Sequence, residues 1–202
     1  MIITEVNTTT LRNSLLATLM LRRGPHNIDP YVWITVLHDS IVVSTLSPNQ
    51  SMCAAITIAD TPTDLTSFGE QSYCLYDEHV TAIAKFLELS RSAIVTLEYD
   101  HEEMTLTLRA AAEVLTISLV NREMPQWSSL VPSEPQGQTA AYSAYNLASL
   151  ADFAEILGTE SVVYRGGRNE KTPQLYEMDD DNVKAYVLIM PIMVSRAVRQ
   201  TW

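Results

Sequence analysis

Few side chains in this sequence are of types that do chemistry, and their spacing argues against most of it. His101, Glu102 and Glu103 stand together, but the second histidine of a zinc-protease helix is missing and the group falls at a predicted turn. Asp179, Asp180 and Asp181 lack the alternating ligands and the glycine of a calcium loop, so the run reads as a solvated hairpin turn. Cys53 and Cys74 have no companion Cys or His at zinc spacing. Each is flanked by apolar residues and reads as a buried free thiol in a reducing cytoplasm, with a disulfide between them as the weaker reading. Gly166-Gly167 is followed by no Lys-Ser/Thr pair and reads as a turn; no Gly-x-Ser-x-Gly elbow occurs. His26, His38, His79 and His101 are scattered. The expectation is a protein that is not an enzyme, with no catalytic residue, metal or cofactor.

Composition narrows the class further. The chain has 202 residues, 13 Lys plus Arg against 24 Asp plus Glu, and a net charge of −11. It is 47% apolar and 18% charged, neither disordered nor low in complexity. The acidic balance argues against general adhesion to nucleic acid or to an anionic membrane. A local basic surface remains compatible with it, because salt screens charges over about 8 Å. The apolar stretch 187–194 is far shorter than a membrane span and contains Pro191, and the first residues do not read as a secretory signal.

The elements that must position any site follow a repeated order. Residues 1–6 read as a strand. Thr8–Thr10 offer N-cap hydroxyls to a helix with Leu11, Leu15, Leu16 and Leu19 on its apolar positions, ended by Gly24-Pro25. Strands are expected at 31–37, 41–46 and 52–58. The order recurs with a strand at 71–76, a helix capped by Asp77 and carrying Val80, Ile83, Ala84 and Leu87, and strands at 93–99, 104–109 and 114–120. After a proline-rich stretch it recurs again. A strand at 139–145 precedes a helix capped by Asn146 and stopped by Gly158; strands follow at 160–165, 173–178 and 185–194. The chain thus reads as strand, helix, three strands, written three times at a period of about 65 residues, longer than common solenoid repeats. A helix over three antiparallel strands is a half-covered sheet that must pack on another copy.

Two segments resemble the bacterial DNA polymerase III β sliding clamps. NREMPQWSSLVP, residues 121–132, is similar to their interdomain linker. AYVLIMPIMV, residues 185–194, is similar to their C-terminal strand, and YSAYNLASLADFAEIL to their last strand and helix. The resemblance implies an α+β fold of βαβββ units, with antiparallel sheets outside and helices lining a ring. It divides the chain into a complete clamp-like domain at 1–122, a linker at 123–137, a half domain at 138–195 and a tail at 196–202.

The resemblance also implies a function: a sliding clamp, or processivity factor, encircling duplex DNA without reading its sequence and tethering a replicative DNA polymerase, with a clamp loader as a further partner. DNA-lining candidates are Arg12, Arg22, Arg23, His79, Lys85 and Arg91, since phosphate contacts need cations rather than base readout. On residues alone, these read equally well as solvated helix-face charges. The third helix has no Lys or Arg, which departs from the family pattern. Carried onto this chain, the partner-peptide pocket takes Pro125, Ser129 and Leu130 from the linker. It takes Leu188, Ile189, Met190, Pro191, Ile192 and Met193 from the last strand, and Leu46, Pro48 and Asn49 from a turn. The plain alternative for 188–193 is a buried strand, true at alternate positions. Family rings hold twelve units; three per chain suggests a homotetramer in which the third unit, lacking a domain mate in its own chain, pairs with that of another. The expected setting is phage-encoded, in a bacterial host cytoplasm. The alternatives are a clamp-like decoy that binds a host clamp or polymerase and, distantly, an unrelated acidic α+β enzyme.

Overall fold

The first strand leaves its own unit. The computed structural model describes residues 2–21, 31–47, 52–59, 61, 71–124, 142, 144–169, 172–180 and 182–191. In it β1 (Ile2–Asn7) pairs antiparallel with β6 (Ile94–Asp100) of the second unit, Ile2 opposite Tyr99 and Asn7 opposite Ile94. The exchange is reciprocal. β5 (Gln71–Tyr76) of the second unit pairs with β2 (Tyr31–Val36) of the first. β3 (Ile41–Leu46) and β4 (Met52–Ile58) extend the first sheet; β7 (Thr105–Ala110) and β8 (Glu113–Ser118) extend the second. Strict alternation dictates the faces: in β1, Ile2, Thr4 and Val6 are buried and the residues between them exposed.

The third unit is not isolated within its chain. Its β9 (Val163–Gly166), β10 (Gln174–Asp180) and β11 (Val183–Ile189) continue the first unit's sheet, giving the order β5-β2-β3-β4-β11-β10-β9 beside the four-stranded β1-β6-β7-β8. The seam is β4 against β11, antiparallel, from Val183 opposite Ile58 to Ile189 opposite Met52. This seam joins the third unit to the first by sheet continuation. What the third unit lacks among the described residues is the reciprocal strand exchange of the first two.

Three helices cover one side of these sheets. α1 (Thr8–Met20) lies in the middle and packs on both α2 (Asp77–Ser90) and α3 (Ala144–Leu157). That position explains its unusual sequence. Leu11 and Leu15 enter one core with Val32, Ile34, Val80, Leu97 and Tyr99, while Ala17 and Leu21 enter a second with Ile56, Phe153, Met178 and Val187. A helix buried from two sides needs small residues where a neighbour comes close, and Ser14, Ala17 and Thr18 are fully buried. Thr18 satisfies its hydroxyl by donating to the Leu15 carbonyl at 2.7 Å.

The helix ends differ from the sequence expectation. Asn7, not a threonine, caps α1: its Oδ1 accepts from the Thr10 N–H at 3.0 Å. The helix ends at Met20 rather than at Gly24-Pro25. Asp77 is the first residue inside α2, where with Glu78 it faces the positive end of the helix dipole, and Tyr76 occupies the cap without a side-chain bond. Asn146 lies buried inside α3, and Tyr145, expected to close a strand, is helical. Residues 139–141 and 143 of that expected strand lie outside the described residues. Gly158 does stop α3. At φ +75° its N–H meets the Glu155 carbonyl, and the Thr159 N–H returns to Ala154.

Candidate partner groove and helix-lined face

The β4–β11 seam carries an apolar patch on the side away from the helices. Period-two alternation puts Leu46, Cys53, Leu188 and Leu175 in one row across β3, β4, β11 and β10. Cys53, Leu175 and Leu188 are buried together, with Leu46 and Tyr186 half-buried against them. Burial pushes the Cys53 thiol up to about 12, so it acts as a packing group rather than a nucleophile. Ser47 and Met52 are bonded to each other: the Ser47 N–H donates to the Met52 carbonyl at 2.8 Å, and the Met52 N–H to the Ser47 hydroxyl at 2.9 Å.

Residues 120–124 run toward this patch. The Val120 N–H donates to the Cys74 carbonyl at 2.9 Å, and Trp33 Nε1 reaches the Arg122 carbonyl at 3.4 Å. The Arg122 guanidinium lies 4.4 Å over the Tyr31 ring. Ser44 Oγ on β3 donates to Met124 Sδ at 3.4 Å. Residues 120–124 thus cross β5, β2 and β3 in turn, one strand short of the seam.

The expected pocket residues divide accordingly. Leu46 and Leu188 meet in the patch. Met190 is 38% exposed and Pro191 half-buried just beyond it. Ile189 points the other way and is fully buried in the helix-side core, so it belongs to packing and not to the groove. Pro48, Asn49, Pro125, Ser129, Leu130, Ile192 and Met193 lie outside the described residues. Tyr186, Cys53 and Leu175, not among the expected residues, complete the patch. The signal was there in β11, where strand alternation places Lys184, Tyr186 and Leu188 on one face.

The helix layer carries four of the six expected residues among the described ones. Lys85 and Arg91 are exposed, but Arg12 Nη2 is engaged by Glu88 at 3.5 Å. His79 is half-buried, edge-on to Tyr76 with ring centroids 5.5 Å apart. Arg22 and Arg23 lie outside the described residues. Against these cations stand Asp77, Glu78 and Glu88 on α2 and the exposed Asp152 and Glu155 on α3. No group of three or more His, Cys, Asp or Glu able to hold a metal occurs among the described residues, and none of their helices is long and apolar enough to cross a membrane.

No known protein-family profile matches the chain, and no characterised protein matches it in sequence. Solved structures do match it in shape. A DNA polymerase sliding clamp from Pseudomonas aeruginosa superposes with a TM-score of 0.73 at 11% identity, over 96% of this chain and 67% of its own. A Helicobacter pylori β clamp gives 0.71 at 11% identity, over 96% and 66%. A structure described as the C-terminal region of FEN-1 bound to A. fulgidus PCNA gives 0.67 at 12% identity, over 97% of this chain and 100% of the matched chain. The chain spans about two thirds of the length of the bacterial clamps it matches. With antiparallel sheets on one side, a helix layer on the other, and these neighbours, the chain has the α+β fold of the DNA sliding clamps.

Proposed function

We propose that this chain is a subunit of a sliding clamp, a non-catalytic ring that encircles duplex DNA and tethers a replicative polymerase through a short apolar peptide. The observation that carries this reading is the seam. One sheet continues across two units, bearing a helix layer on one face and a linker-bordered apolar patch on the other. A scaffold of this kind needs those two faces kept apart, one toward DNA and one toward protein. The peptide would lie over Leu46, Tyr186, Leu188 and Met190, on the sheet face that Met124 also covers. Methionine and aromatic side chains suit such a site because they adapt to several partners.

The test pairs binding with retention. Fluorescence anisotropy with an apolar peptide from the cognate polymerase should show binding that falls at least tenfold in Tyr186→Ala with Met190→Ala, with the melting temperature nearly unchanged. Loading onto nicked circular DNA, with a clamp loader if required, should give a complex that persists until the circle is cut. Unchanged peptide affinity in the double variant would sink the groove.

The acidic face of α2 and α3 favours a second reading, a clamp-like decoy that binds a host clamp or polymerase. Co-sedimentation with that clamp and inhibition of synthesis, without retention on circles, would decide for it.

A further inference from the structure

Residues 121–123 are exposed, yet the segment that carries them is fixed to the sheet at three points. The Val120 N–H donates to the Cys74 carbonyl at 2.9 Å, and the Arg122 N–H turns back to the Val120 carbonyl at 3.1 Å. Arg122 is then held twice. Its carbonyl accepts from Nε1 of the buried Trp33 at 3.4 Å, and its guanidinium lies 4.4 Å over the centroid of the Tyr31 ring. That ring has Tyr76 at 5.2 Å and Trp33 at 6.1 Å, between centroids. Tyr31 and Trp33 stand two residues apart on β2 and so share a face. The side chain and the carbonyl of one exposed residue thus close on two neighbouring aromatics.

Two residues on, Met124 is half-buried over β3. Its sulfur accepts from Ser44 Oγ at 3.4 Å and from Thr35 Oγ1 at 3.7 Å, both on buried residues. Strand register fixes what this places. Trp33, Ser44, Ala55 and Tyr186 stand opposite one another in turn across β2, β3, β4 and β11. Ser44 and Tyr186 are therefore two strand spacings apart, roughly 10 Å, with only the small Ala55 between them. Met124, over Ser44, forms the side of the proposed groove that faces Tyr186. A thioether is a weak acceptor, so two long O–H···S contacts hold it loosely. The nearest stronger hold before it in the chain is at Arg122.

We propose that Arg122 is a positioning residue of the peptide groove: it touches no peptide, but by closing on Tyr31 and Trp33 it seats Met124 before a peptide arrives. This rests on the function proposed above. The physical ground is ordering entropy. A segment ordered only on binding subtracts its lost freedom from the affinity, and one ordered beforehand does not. A stacked guanidinium suits the task, because it is weakly hydrated and keeps its hold on a ring at an exposed site.

Anisotropy with an apolar peptide from the cognate polymerase, and solvent exchange of the Trp33 indole N–H, test it on the full-length chain. The indole resonance is assigned by its loss in Trp33→Phe. Arg122→Gln should weaken the peptide about fivefold, the share of one exposed cation–π contact. It should also speed indole exchange in the peptide-free chain, with the thermal melt nearly unchanged because the side chain is exposed. Arg122→Lys keeps a cation over the ring and should recover most of both readings, and Tyr31→Phe should match the parent. Tyr31→Leu should resemble Arg122→Gln, and the two combined should bind no more weakly than either alone, the coupling of a single contact. That cycle also isolates the pair should a single variant lower the melt. Arg109→Gln, a charge loss on the other sheet, is the control and should change neither reading. Unchanged indole exchange in Arg122→Gln overturns the proposal. So does full affinity in Arg122→Gln where Tyr186→Ala with Met190→Ala loses it, and the groove then still stands. A parent chain that binds no such peptide, or a Tyr186 and Met190 double variant that loses none, defeats the proposed function and this proposal with it.

Discussion

Glu177 pairs with two cations in the third unit. Its Oε2 accepts from Arg165 Nε at 2.6 Å and its Oε1 from Lys184 Nζ at 2.9 Å, on the sheet face away from the helices. Hydrogen bonds from Lys184 and then Arg165 hold its carboxyl below the ordinary value of 4.5. The folded chain therefore binds fewer protons here than the unfolded chain as the pH falls through this region. The stabilisation is complete above the ordinary carboxylate value and is lost as pH drops through the lowered folded value. Both cations are half-exposed, so solvent screening keeps the effect small. Glu177→Gln should cost less than about 1 kcal/mol at pH 7, and its stability should converge on that of the parent only as the pH falls through the lowered folded value. Urea denaturation of both proteins from neutral to acid pH measures it; a difference that does not shrink as the pH falls would mean the side chain matters through packing instead.

At the scale of elements, the ends of helices depend on single residues. Gly158 holds φ +75° with open space around the position a Cβ would take, so Gly158→Ala meets backbone strain but no clash. It should cost about 1 kcal/mol, read as a lower urea midpoint with unchanged slope. A neutral result would show that α3 can end without the left-handed turn. This stop was legible because glycine after an apolar period has one common meaning. The starts were not. Asn7 precedes three threonines that all compete for the cap, and only the chain's path out of β1 selects it. Asp77 reads as a cap in isolation, yet the extended Tyr76, paired opposite Tyr31 in β5, takes the cap, and the helix starts one residue earlier than a cap at Asp77 would give. Alternation made the strands legible, and with them the burial of Ile34, Val43 and Leu97. What alternation could not give is which strand pairs with which. The β1–β6 exchange and the β4–β11 seam join residues more than 80 positions apart, and the groove exists only because of that seam.

For the whole molecule, the charge of −11 and the helix layer bear on one question, namely how a ring of such chains would hold DNA. Contact alone is a poor candidate. Arg12 is tied to Glu88, and the described helix layer that carries the exposed Lys85 and Arg91 also carries Asp77, Glu78, Asp152 and Glu155. Each phosphate neutralised steepens the fall of log affinity with log salt by about 0.9, so few contacts mean both weak binding and a shallow slope. A closed ring does not need contact, because a circle threaded through it cannot leave. Linear duplex should therefore bind weakly at physiological salt. Protein loaded on a nicked circle should stay through a salt wash and leave within minutes once the circle is linearised. Lys85→Ala should make the slope on linear DNA shallower by about 1, the share of a single phosphate, while leaving retention on the circle unchanged. Gel filtration of loaded circles before and after cutting, beside anisotropy on a short linear duplex, reads both quantities. Tight, steeply salt-dependent binding to linear duplex would place the hold in contacts rather than in topology, and would move the DNA surface away from α2 and α3.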